Sequence, residues 1–470
     1  MIDFSDFPEI SSPIGYFMEI SKIPRGSGNT KMIADHLYAF AAERGLEAYR
    51  DEYDNVVIKK PATPGYEERP ILVPQGHTDI VAEKAAGCDI DMEKEGVRIF
   101  RDGDLLGAEG TTLGADDGIA LAYCMALLDA KDLPHPALEC VFTSDEETGL
   151  TGAANISPDL IKGRIMINLD SGDEGVFTVG CAGGLRADIA LPTQRAALVG
   201  ECYRLSLVGL LGGHSGVEID KNRINALKVM GELISSVDGA MIVNLHGGNA
   251  DNAIPRDAYA VIAVEKPMDT EALASLAKEL TEKENGSFTV EKIQPSETAL
   301  DAASTGNILA LLKNLPTGVY KMSDDIPGLV ETSLNIAVAD TNTEAFTLTV
   351  SIRSSKGEEK AALCKKVTKT AEELGAKVTT RGEYPGWEYR KDSRLREVMR
   401  SRWEKLFGEK PKVVMIHAGL ECGIFSDKLA GLDCVSTGPN HFDIHTPLER
   451  LSLSSFSKVW KFLLEVIKNI

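Results

Sequence analysis

Hydrophobic and polar positions repeat along this chain with two different periods, and the places where the period changes outline its organisation. Apolar residues at three- and four-residue spacing predict helices over PIGYFMEISKI (13–23), NTKMIADHLYAFAAERGL (29–46) and DDGIALAYCMALLDA (116–130), the last strongly apolar. Between these helices, short apolar runs that break into polar residues predict strands: RPILVPQGHTDIV (69–81), PALECVFTSDEETG (136–149) and GRIMINLDSGDEG (163–175). Strand and helix in alternation, with acidic residues where the apolar runs stop, predict an α/β sheet domain. In such sheets ligands sit beyond the carboxyl ends of the strands.

Near residue 187 the pattern changes. From there to about 384 the chain is rich in alternating strands: YRLSLVGL, AYAVIAVEK, GSFTVEKIQ, SLNIAVADT and AFTLTVSIRS. Helices are predicted among them at 223–237, 271–283 and 358–375, so the segment reads as an α+β insertion of two successive αβ subunits. The chain then returns to helix and strand through SRLREVMRSRWEKLF, KVVMIHAG, LDCVSTG and a closing helix at 452–470. The expected division is one domain formed by 1–186 and 385–470, with a second domain, 187–384, inserted into it. Hinges are expected near 183–188 and 383–388.

Composition narrows the class. With 470 residues, 43% hydrophobic and 26% charged, the chain is globular and long enough for more than one core. A net charge of −21 argues against nucleic acid or an anionic membrane surface as partner. No apolar run reaches the roughly 18 residues a membrane helix needs. MIDFSDFPEI lacks the basic start and apolar stretch of a signal peptide. The 8 cysteines form no CxxC pair and sit mostly in apolar runs, which reads as free thiols in a reducing compartment. A cytoplasmic location is expected.

Five short segments carry candidate chemistry: GHTDIV (His77, Asp79), LGADDG (Asp116, Asp117), TSDEETG (Asp145, Glu146, Glu147), NLDSGD (Asp170) and FDIHTP (His445). Singly they say little, since an Asp-Asp-Gly can be an ordinary helix cap and adjacent glutamates a solvated loop. Together they place carboxylates at the ends of buried strands, where desolvation calls for compensating positive charge. Few lysines or arginines lie near them in sequence, so divalent metal ions are the expected source. Two imidazoles and several carboxylates without a thiolate suit zinc, cobalt or manganese in a catalytic site. Two such ions sharing one carboxylate form a known hydrolytic device.

These segments, with EGTTLGADDGIALAY, VGCAGG, LLGGHSGVEIDKNRINA, GGNADNAIP and HAGLECGIF, resemble the metallopeptidase family that includes carnosinases, aminoacylases, peptidase T and glutamate carboxypeptidases. The resemblance spans essentially the whole chain and is strongest toward the branch of bacterial aminoacyl-histidine dipeptidases. It implies a catalytic domain with a mainly parallel mixed sheet flanked by helices, and an inserted α+β lid that carries a homodimer contact. It implies two divalent ions, Zn2+ first, with Co2+ or Mn2+ possible. His77 and Asp170 would bind one ion, Glu147 and His445 the other, and Asp116 both, with the Asp116–Asp117 peptide cis. Asp79 would orient His77, and Glu146 would serve as general base toward a bridging hydroxide. In the insertion, His214 would contact the scissile carbonyl oxygen, while Arg353 and Asn252 would grip the carboxylate of a small peptide substrate. Glu421 would receive the free ammonium of a dipeptide. The implied activity is hydrolysis of dipeptides, Xaa-His among them, with N-acyl-amino-acid deacylase or tripeptidase as the alternative. Gly172 departs from the pattern, which has an acidic residue directly after Asp-Ser. His36 and His135 read as structural; His246, His417 and His441 lie near the matched blocks and can line the pocket.

Overall fold

The computed structural model describes residues 2–470 apart from 199 and 325. It divides into two compact units: one comprises 1–180, 387–415 and 420–470, and the other 181–386 with 416–419.

The first unit is built on an eight-stranded mixed sheet. Its strand order is Glu47–Arg50, Val56–Lys60, Leu138–Thr143, Leu72–His77, Ile165–Asn168, Asp433–Ser436, Val176–Cys181, Lys412–Ile416. The four central strands run parallel, with His77 beside Thr143 and both Gln75 and Ser436 beside Asn168. The pairs from Leu138–Thr143 outward through Val56–Lys60 to Glu47–Arg50 are antiparallel. Central strands are buried on both faces, which is why they read as unbroken apolar runs rather than alternating ones. Helix Ala115–Asp129 explains its own composition in the same way: Ile119 through Leu128 are all buried, and the Tyr123 hydroxyl donates to the Phe456 carbonyl at 2.6 Å. The closing helix, Leu453–Asn469, is instead amphipathic; it buries Phe456, Val459, Phe462, Leu463 and Val466 in the same core. Each such large apolar side chain contributes about 1.5–3 kcal/mol when taken from water.

A smaller four-stranded sheet, His441–Phe442, Arg450–Ser452, Leu105–Ala108 and Ile99–Asp102, lies in the same unit. Its first two strands form a hairpin whose loop carries His445.

The second unit has its own core under a nine-stranded antiparallel sheet. Strand Gly183–Pro192 shows the pattern that builds it: Leu185, Ala187, Ile189 and Leu191 are buried and the residues between them are not. Strands from the two halves of the insertion join in this one sheet, where Gly247 pairs with Ala339. Residues 183–192 are paired on both sides, by Ala345–Ser354 and Lys377–Tyr384. This corrects the hinge expected at 183–188, because a strand held by two ladders is poorly placed to absorb a backbone rotation.

Candidate metal centre

The carboxyl ends of the four parallel strands open on the same side of the sheet, and the chain leaves each with a polar residue. Strand Leu72–His77 ends on His77 itself. Leu138–Thr143 runs into Glu146 and Glu147, and Ile165–Asn168 into Asp170. Asp116 and Asp117 open helix Ala115–Asp129, where both have non-helical dihedral angles and the peptide between them is cis. Gly76 makes this approach possible. A β-carbon there would lie 2.2 Å from both Asp117 Oδ2 and the Ala120 β-carbon, so only glycine lets the helix start meet the strand. Asp117 Oδ2 then accepts the His77 amide at 3.2 Å.

Three sets of side chains bring ligand atoms within 4.8 Å of one another: His77, Asp116 and Asp170; Asp116, Glu147 and His445; and His77, Glu146 and Glu147. The first two share Asp116, whose Oδ1 is 3.0 Å from His77 Nε2 and whose Oδ2 is 3.3 Å from His445 Nε2. His445 Nε2 is also 2.9 Å from Glu147 Oε1. His445 and Asp443 hold φ angles of 63° and 52°, a region non-glycine residues enter where the surrounding fold imposes it. On the far side of the His77 ring, Nδ1 lies 3.1 Å from the Asp79 carbonyl and 3.3 Å from its carboxylate. Asp79 is itself fixed by the Glu146 amide, at 3.0 Å from Oδ1, and the Ser27 hydroxyl, at 2.8 Å from Oδ2.

Electrostatics mark the cluster as short of positive charge. Burial pushes the Asp170 and Asp117 carboxyls well above the usual range, with Asp116 raising both further. Burial likewise raises Glu146 to about 8, aided by Glu421, Glu147 and Asp116. Asp116 moves the opposite way: burial opposes its charged form, but hydrogen bonds from His445 and His77 outweigh that and hold it low. His445 rises to about 10 through its bonds to Asp116 and Glu147. Protons thus stand where the donor set, two imidazoles and two carboxylates around a shared aspartate, has the chemistry to hold divalent ions. The residues present fit such a pair.

Glu421 belongs to the same unit but is fully buried. Its Oε2 accepts from Gln75 Nε2 at 2.6 Å and the Thr143 hydroxyl at 2.7 Å, while Oε1 has no protein partner. Burial raises it to about 7.

The other expected substrate residues lie in the second unit. His214 Nδ1 accepts the amides of Gly216 and Val217, both at 3.1 Å, so a neutral ring there carries its proton on Nε2. Burial, then Arg353, lowers its pKa and keeps it neutral. Arg353 is buried and donates to the Tyr384 hydroxyl at 2.9 Å; its Nε has no partner, and among the described residues no carboxylate pairs with it. Asn252 is exposed, and its carbonyl accepts the Ser215 amide at 2.7 Å. His417, in the same unit, is buried against the Ser333 hydroxyl at 2.7 Å.

Sequence reasoning missed Arg25 and Glu449, two buried charged residues at the start of the Asp116 helix. Glu449 falls just after the FDIHTP segment but received no role, and Arg25 sits in the polar, glycine-rich stretch PRGSGN, which gave no signal.

The description of peptidase family M20/M25/M40 matches residues 75–469. The cytosol non-specific dipeptidase of Escherichia coli (strain K12) is 35% identical, covering 97% of this chain and 96% of that protein. The crystal structure of an aminoacylhistidine dipeptidase from Vibrio alginolyticus superposes with a TM-score of 0.91 at 34% identity, over 100% of this chain and 98% of that one. A tripeptidase from Staphylococcus aureus, 19% identical and covering 98% of each chain, shares the fold at a TM-score of 0.57. The chain therefore belongs to peptidase family M20/M25/M40. It is an enzyme of the metal-dependent, peptide-bond-hydrolysing class, and its α/β domain with an inserted second unit is the fold of that family.

Proposed function

We propose that this chain is a cytoplasmic dipeptidase that hydrolyses dipeptides with a free amino terminus, Xaa-His peptides of the carnosine type among a broad set. One observation carries the reading: the sets His77–Asp116–Asp170 and Asp116–Glu147–His445 share a single aspartate, as a pair of ions with one common ligand requires. The names of the Escherichia coli and Vibrio alginolyticus proteins support the substrate class. Zn2+ is the first candidate, with Co2+ and Mn2+ the alternatives that the same donors accept. When bound, such ions supply Lewis acidity and acidify water.

The chain's own residues do the rest. Glu146, half-buried beside the ligands but outside both sets that share Asp116, takes a proton from water and returns it to the leaving amine. Asp79 keeps His77 in one orientation. His214, neutral with its proton on Nε2, donates to the carbonyl oxygen as charge develops on it. Arg353, whose Nε has no partner among the described residues, receives the substrate's C-terminal carboxylate, and Asn252 assists it. The free oxygen of Glu421 receives the substrate ammonium. Residues 187–384 form the lid and the homodimer contact.

The test is hydrolysis of carnosine, Gly-His, Leu-Gly, Ala-Ala-Ala and N-acetyl-methionine by metal-reconstituted protein. Cleavage of the dipeptides alone is the expected result. Cleavage confined to N-acetyl-methionine or to Ala-Ala-Ala overturns it in favour of a deacylase or a tripeptidase.

A further inference from the structure

The helix that carries Asp116 has no cap of its own. Gly114 precedes it at φ 72° with no side chain to offer, and the first turn is broken at Asp116 and Asp117. Its amide groups are instead satisfied by a residue more than 300 positions away. Glu449, buried at 3% exposure, accepts Leu113 and Gly114 on Oε2 at 2.8 and 2.9 Å, and Ala115 and Asp116 on Oε1 at 2.8 and 3.3 Å. Four consecutive amides thus converge on one carboxylate, an arrangement that locates a loop in three dimensions.

The opposite pole of this loop is held by Arg25, 2% exposed. Its guanidinium donates through Nη2 to the Gly114 carbonyl at 2.6 Å, and through Nη1 to the carbonyls of Thr78 at 2.9 Å and Asp79 at 3.4 Å. One planar group therefore joins the loop before Asp116 to the segment after His77. Only a guanidinium reaches both in a fixed fork; a lysine ammonium is a single point charge on a flexible stem. The space is tight: β-carbons at Gly114 and Gly118 would stand 2.9 and 2.6 Å from Nη2. Burial lowers the Arg25 pKa to about 10, with Glu449, Asp79, Asp117 and Asp116 opposing the drop, so the group is cationic at neutral pH.

We propose that Arg25 and Glu449 form a charged clamp that positions Asp116 against His77, and that this clamp sets the affinity of the site for both metal ions. The inference rests on the two-ion reading given above. Arg25 and Glu449 touch neither ligand atoms nor substrate; they are positioning residues that act through the backbone of 113–116 and 78–79. Because Asp116 belongs to both ligand sets, displacing it weakens both ions together, whereas loss of His445 or Asp170 weakens one. Disturbing residues that orient ligands typically costs 10–100-fold in metal affinity.

The experiment measures zinc binding by calorimetry against a competing chelator, and thermal midpoints with and without zinc, for the full chain and the variants Glu449→Gln, Arg25→Lys and Arg25→Met. Glu449→Gln keeps the shape but turns an amide NH2 toward backbone donors. Arg25→Lys keeps the charge without the fork. Expected for both is a 10–100-fold loss of affinity for each ion, a smaller zinc-induced rise in thermal midpoint, and recovery of kcat at excess zinc with KM unchanged. Arg25→Met should lose more than Arg25→Lys. A purely structural role lowers the metal-free midpoint but leaves the zinc-induced rise intact, and that result overturns the clamp. So does loss of one ion only. Should one variant fail to fold, the others carry the test. The wild-type arm separates the two readings: wild-type protein that binds two ions yet splits no dipeptide defeats the dipeptidase reading and leaves the clamp standing.

Discussion

Gly172 lies directly against the imidazole of His441: a β-carbon at 172 would stand 3.2 Å from both Cε1 and Nε2, and the His441 amide donates to the Gly172 carbonyl at 3.2 Å. The glycine found where the sequence reading expects an acidic residue thus has a physical counterpart. Where an acidic side chain is expected after Asp170–Ser171, the ring of His441 crowds the place one would start from. Gly172→Ala should force the ring aside and destabilise the protein by about 1–3 kcal/mol, the usual cost of overpacking. In a double-mutant cycle with His441→Ala most of that cost should vanish; equal costs in both backgrounds would show that the two positions are not coupled.

Metal uptake should expel protons. His445, held at about 10, and His77, held well above its ordinary value by its bonds to Asp116 and Asp79 against the opposing effect of burial, are both cationic at pH 7 in the metal-free protein. An imidazole must be neutral and a carboxyl ionised to bind a metal, so loading both sites should release about two protons from these rings, besides any held by Asp170, whose carboxyl burial also pushes up. Affinity should climb with pH until His445 titrates near 10. Calorimetry in buffers of different ionisation enthalpy reads the proton count directly, and a count near zero would sink the assignment of these rings as ligands.

Replacement of Glu146 by Gln should lower kcat by roughly 10²–10⁴-fold, the usual contribution of a positioned general base. Zinc stoichiometry should stay unchanged, because the two sets that share Asp116 do not include Glu146. Loss of an ion together with activity would show that the third set, His77, Glu146 and Glu147, is the one occupied.

Stability should fall in mild acid through His417. Burial, then Arg353 and His214, push this ring from 6.5 down to about 3. Above pH 6.5 neither folded nor unfolded form binds the proton. Below it the unfolded chain takes up a proton that the folded chain refuses until about pH 3. The contribution of this residue therefore declines as pH falls from 6.5 toward 3, by about 1.4 kcal/mol per pH unit. His417→Gln should flatten the profile in that window relative to wild type; parallel profiles would exclude the effect.

The parts of the centre legible in the sequence share one property: each is a local signal, a strand that ends on a polar residue. His77, Glu147 and Asp170 could be placed because the apolar run before each one announces the strand. The α/β character of the domain was legible for the same reason, whereas its parallel centre was an implication of the family resemblance. What was not legible depends on distance along the chain. Glu449 caps a helix more than 300 residues before it, and Arg25 bridges carbonyls 53 and 89 residues away. No spacing rule reports such pairings. The hydrogen bonds that Gln75 and Thr143 donate to Glu421 depend on the neighbouring parallel strands, whose order the sequence does not state. Gly76 carries no signal of its own in the sequence, and its purpose appears only where Asp117 crosses it.

The discontinuity of the first unit also orders events in time. His77, Asp116 and Asp170, which make up one ligand set, leave the ribosome early. The 298 residues between Glu147 and His445 take roughly 15–60 s to synthesise at 5–20 residues per second. Strand Asp433–Ser436, His445 and Glu449 emerge only at the end of that interval or just after it, so neither the complete sheet nor the second ligand set exists until then. Asp116, which both sets share, thus waits for residues made more than 300 positions later, one to complete the second set and one to cap its helix.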